Sequence, residues 1–149
     1  MLAAQLGFVA VGVWITHVDI RDHRIPNRVV VPLACIILAL CTVAAAADGS
    51  AATLARGVAG AIALGGLYAA LRAASGGALG GGDVKLAVPI GMLLSWDGWI
   101  PLFIGGGLAF LIGGTWSVAL LVTRRGTATT AVAFGPFMVL GAVVGLAIT

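Results

Sequence analysis

Six long apolar stretches separated by short polar breaks leave this chain almost no choice of fold. They run over about residues 2 to 18, 29 to 47, 53 to 73, 84 to 95, 99 to 122 and 131 to 148. A helix that crosses a bilayer needs about 20 mostly apolar residues, and all but the fourth stretch come close to that. The 149 residues are 61% hydrophobic and 9% charged, with mean hydropathy +1.17, values that exclude a soluble domain of this size. The expected fold is all-α: a polytopic membrane protein with six transmembrane helices in one bundle, residues 1 to 149 forming a single domain. The fourth stretch is expected to borrow residues from the glycine run before it or from the turn at Trp96 to Trp99.

The first stretch starts at Met1 with no basic residue ahead of it and has no AxA-like cleavage site before His17, so it is expected to remain as the first span. Cys35 and Cys41 lie about 9 Å apart along one helix axis at 1.5 Å per residue, too far for a disulfide. Both read as packing residues. The 23 glycines suit close helix contacts in lipid, and Gly141 with Gly145 forms a GxxxG pair.

Basic residues collect in the cytoplasmic loops of membrane proteins. Here Arg21, Arg24 and Arg28 fall in the first break, Arg72 and Lys85 flank the third, and Arg124 and Arg125 occupy the fifth. The second and fourth breaks carry Asp48 and Asp97, and Arg56 alone departs from the pattern. The alternation predicts both termini outside and the odd-numbered breaks in the cytoplasm. Asp19, ending the first span, and Asp83, opening the fourth, then arrive on the same face.

These two aspartates are notable in a chain with five acidic residues and no glutamate. A carboxylate at the edge of hydrocarbon is costly and is by default a functional candidate. Two carboxyls within a few ångströms cannot both ionise and share a proton. Such a pair hydrolyses amides: the ionised member takes a proton from water while the protonated one donates to the carbonyl oxygen. Neither cofactor nor metal is needed. The run Gly80, Gly81, Gly82 before Asp83 would let a backbone approach closely, as an extended peptide does.

Asp83 closes a GxGD pattern with Gly80 and Gly82, followed by Val84, Lys85 and Leu86; upstream stand Asp19, Ile20 and Arg21, then Ile25, Pro26 and Asn27. Joined in this order, the segments resemble the type IV prepilin peptidase family of GxGD membrane aspartyl proteases, in particular its short members that serve Flp or Tad pili. AFGPFMVLGA at residues 133 to 142 is similar to that family's proline-containing last span. The resemblance implies an inner-membrane endopeptidase of a prokaryotic cell, removing a short basic leader from prepilin-like proteins at the cytoplasmic face. Asp19 and Asp83 match its catalytic pair. Larger members carry paired cysteine motifs and also methylate the pilin; this chain has no CxxC, which implies a peptidase without methyltransferase activity.

The supporting residues have plainer readings beside the functional ones. Pro26 breaks the chain between the first two spans, and Asn27 is expected to cap the second helix with its side-chain oxygen. Lys85 either contacts the dyad or substrate, or merely snorkels. Asp22 competes with Asp19 for the first catalytic role; the span is expected to end before Asp22 and leave it solvated. The arginines set orientation and meet anionic headgroups, so the expected partners are a prepilin-like substrate and membrane lipid, with no nucleic acid.

Rival readings are a small transporter or assembly scaffold and a metal-dependent hydrolase using His17, Asp19, Asp22 and His23. A carrier places ionisable groups near mid-bilayer, whereas these aspartates border the edge. His17 and His23 have the wrong spacing for an HExxH face, and there is no glutamate to complete a zinc protease. A serine protease would want a GxSG-like string, and the nearest, Ala73, Ala74, Ser75, Gly76, lacks the first glycine.

Overall fold

The computed structural model describes residues 1–22, 25–77, 79–123 and 133–148. Among these all regular structure is helical: α1 (Leu2–Asp22), α2 (Asn27–Ala47), α3 (Ala51–Ala74), α4 (Gly81–Leu94), α5 (Trp99–Val122) and α6 (Gly135–Ala147). The breaks fall where the sequence offers nothing to continue a helix. Pro26 is extended at φ −71°, ψ 124° and α2 starts at the next residue. Gly49 turns the chain into α3 at φ +64°, a left-handed conformation that side chains disfavour, and the Ser50 side chain accepts a hydrogen bond from the Thr53 amide.

α4 is the centre of the bundle, packing against α2, α3, α5 and α6, with its most extensive contact on α3. A helix that is apolar all round belongs in an interior, and α4 buries Leu86, Ala87 and every residue from Pro89 to Leu94. The close α3–α4 crossing depends on absent side chains. A Cβ at Gly60 would strike Ser95 and the Gly91 carbonyl, and one at Gly91 would strike the Gly60 carbonyl. α5 and α6 approach in the same way: a Cβ on Gly141 would strike the Gly105 carbonyl, and one on Gly145 would sit 2.8 Å from the Pro101 carbonyl oxygen. The GxxxG pair thus lies in a helix interface.

The outer helices turn apolar side chains outward, among them Val13, Val43, Ile62 and Phe103. A skin of this kind is stable only in lipid. Four helices are long and apolar enough to cross a bilayer: Leu2–Asp22, Asn27–Ala47, Ala51–Ala74 and Trp99–Ala119. The chain is an integral membrane protein.

Several expected boundaries shift. α1 continues past residue 18 to Asp22, so Asp22 is on the helix rather than beyond it, though still exposed. α4 starts within the glycine run but has only 14 residues, and α6 has 13, both shorter than a full span. α6 starts at Gly135 because Pro136 fits a first turn and not a helix interior. Cys41 is buried whereas Cys35 is exposed on the outer surface, and both are free thiols. Arg24, Arg124, Arg125 and His23 lie outside the described residues.

Candidate active site

Asp19 lies on the buried stripe of α1 with Ala4, Phe8, Gly12 and Ile15, a spacing of three and four residues that keeps one helix face inward. Asp83 stands in the first turn of α4. The two are 4% and 5% exposed, and with Ser95 they are the buried polar or charged side chains among the described residues. They lie close enough for the Asp19 charge to act on Asp83. Asp22, one turn on, is exposed and outside this setting.

Each carboxylate is seated on a glycine. The Gly135 amide, at the N-terminus of α6, donates to Asp19 Oδ2 at 3.0 Å. A Cβ on Gly135 would sit 2.6 Å from that same oxygen. Gly80 is extended before α4, its backbone hydrogen-bonds the Asp83 carboxylate, and a Cβ there would sit 2.7 Å from Asp83 Oδ2. The second glycine of the GxGD pattern answers a different neighbour: a Cβ on Gly82 would meet the Ile25 Cβ at 2.6 Å. Ile25 also reaches Gly135, where its Cδ1 would lie 3.1 Å from the added carbon. The space a side chain would need at Gly80 and Gly82 is taken by Asp83 and Ile25.

Asn27 and Lys85, 58 positions apart, are joined by a 2.7 Å hydrogen bond from Lys85 Nζ to Asn27 Oδ1. This overturns the expected cap: α2 has no side-chain cap, Pro26 takes the N-cap position, and the Asn27 oxygen is turned to Lys85. The IPN and GxGDxK segments are thereby tied together twice, through Ile25 to Gly82 and through Asn27 to Lys85. Arg72, at the end of α3, donates to the Leu79 carbonyl and so fixes the turn leading to Asp83, whose carboxylate feels its charge.

Three aromatic rings close the interior side. Tyr68 packs on Phe110 and Phe134 with centroids 4.9 and 6.1 Å away, and it lies near enough to Asp83 to interact electrostatically. Neither Tyr68 nor Gly135 was singled out from the sequence. Gly135 lay in the GPF segment without an assigned role, and nothing local to Tyr68 signals a carboxylate. Among the described residues no three His, Cys, Asp or Glu side chains converge as metal ligands.

The fold and site define a helical membrane protein with a buried pair of carboxyls drawn from its first and fourth helices. A family model for the type IV leader peptidase family matches residues 6–122, and the chain belongs to that family. No curated protein and no solved structure matches it. Asp19 and Asp83 both fall within the matched residues, Gly135 beyond them.

Proposed function

We propose that the chain is an aspartic endopeptidase that removes the short basic leader of prepilin-like precursors of the Flp type, with Asp19 and Asp83 as its catalytic residues. The observation that carries this reading is the burial of both carboxyls at one end of the bundle, within reach of each other's charge and each against a glycine. Two such groups cannot both be charged cheaply, so the pair holds one proton and titrates as a unit. The ionised carboxylate takes a proton from a water, whose oxygen attacks the scissile carbonyl. The other carboxyl gives its proton to the carbonyl oxygen, producing a gem-diol. Collapse of the diol returns a proton to the leaving amine and restores the pair. Gly80, Gly82 and the Asn27–Lys85 bond hold the loop geometry around it.

The same reading has all six helices embedded in a prokaryotic inner membrane, with the dyad end in the cytoplasm and both termini outside. The basic Arg21, Arg28, Arg72 and Lys85 stand at that end, which supports the orientation. No methyltransferase activity is expected, since both cysteines lie within α2 and neither forms a CxxC.

Coexpression with a candidate Flp prepilin, reading leader loss by gel shift, tests the assignment. Asp19→Asn and Asp83→Asn abolish processing, whereas Asp22→Asn retains at least part of it. Full processing by Asp83→Asn would remove the mechanism.

A further inference from the structure

Two neighbouring hollows lie along the side of the bundle between α3 and α4 and meet at Ala69. The apolar one, a groove of about 610 Å³ open to the outer surface, is lined by apolar and small residues of α2, α3 and α4, among them Leu38, Ile62, Gly66 and Val88, with no charged side chain. The other, about 650 Å³ at the Arg72 end of α3, is lined by Arg72, Lys85, Gly81 and neighbours, with two cations and no acid. Ala69 lines both, so one wall passes from hydrocarbon to charge. From Val58 to Ala73 this wall rises about 22 Å along α3.

Neither hollow is an approach to the dyad. On α4 the two are lined by Gly81, Val84, Lys85, Val88, Pro89 and Met92, which share one side of the helix. Asp83 is two residues from Gly81, about 200° around the helix. An occupant must therefore be long and apolar along Gly66 and Val88 and anionic at Arg72 and Lys85. The hydrogen bonds of Arg72 to Leu79 and of Lys85 to Asn27 each use one N–H, and a guanidinium and an ammonium carry more.

We propose that the two hollows are a site for one anionic glycerophospholipid, its phosphate between Arg72 and Lys85 and an acyl chain along the Gly66–Val88 groove. Juxtamembrane basic pockets between helices select such headgroups. The lipid joins the end of α3 to the start of α4 beside the turn that leads to Asp83, and it stands independently of the peptidase reading.

The test uses the full chain in a neutral detergent, titrated with phosphatidylglycerol or phosphatidylcholine, with bound species weighed by native mass spectrometry. Phosphatidylglycerol is retained in preference to phosphatidylcholine, and Arg72→Gln and Lys85→Gln each weaken that retention on the order of five-fold. Arg72 also holds the turn, so a second variant is needed. A Cβ at Gly66 meets nothing within 4 Å, so Gly66→Leu puts a side chain into the groove and displaces the lipid, with thermal denaturation as the fold control. Equal retention of the two lipids, undiminished retention by Gly66→Leu, displacement by free glycerol phosphate, or a second copy of the chain in place of the lipid would each overturn the proposal.

Discussion

The two carboxylates are held by what their neighbours lack. Gly135→Ala and Gly80→Ala would press a methyl group against Asp19 and Asp83 at distances of 2.6 and 2.7 Å, too close for any side chain to accept unmoved. Overpacking of this kind costs about 1–3 kcal/mol. If that displacement falls on the oxygens of the proposed dyad, leader removal drops by roughly ten- to a hundred-fold. Gly107→Ala, where an added Cβ meets nothing within 4 Å, leaves it unchanged; initial rates in the gel-shift assay, with thermal denaturation as the fold control, check all three. The exposed Asn27–Lys85 bond is weaker, and a double-mutant cycle with Asn27→Ala and Lys85→Met should return a coupling below about 1 kcal/mol. The aspartates and GxGD glycines were legible because their patterns are local. The donor to Asp19 was not, since Gly135 lies 116 residues away. Asn27 was misread for the opposite reason: its place after Pro26 satisfied a local capping rule, and a distant lysine took the oxygen instead.

At the scale of elements, the α3–α4 hairpin is pinned at both ends by arginine. Arg72 holds the turn near the dyad, while Arg56 at the far end donates to the Ser95 carbonyl at 2.8 Å and to the Trp96 carbonyl, taking up the backbone acceptors that end α4. This also explains the one cation that departs from the loop alternation: Arg56 serves a helix end. Arg56→Leu leaves those acceptors without it and lowers stability by about 1–3 kcal/mol, read as earlier thermal unfolding, with processing kept at permissive temperature because the dyad lies at the other end. Hydropathy gave the number and order of the helices, since apolar length is a property of composition. It could not give the ends of α1, α4 and α6; α6 starts where Pro136 fits a first turn, and α4 closes with the Ser95 amide on the Gly91 carbonyl.

For the whole molecule, the alternation of charged breaks foretold that Asp19 and Asp83 would meet at one end, and the bundle brings the end of α1, the starts of α2, α4 and α6, and the end of α3 together there. The central helix is also the short one. Its 14 residues rise only about 21 Å, against a hydrocarbon layer of about 30 Å. In the proposed embedding, with Trp96 just beyond its far end at the opposite interface, Asp83 would sit several ångströms below the plane of the headgroups, and the membrane would have to dip to let water reach it. Thin bilayers supply that depression freely and thick ones resist it, so turnover in nanodiscs should fall as acyl chains lengthen while the bundle stays folded. Membrane thickness would then act as a rheostat on the proposed reaction.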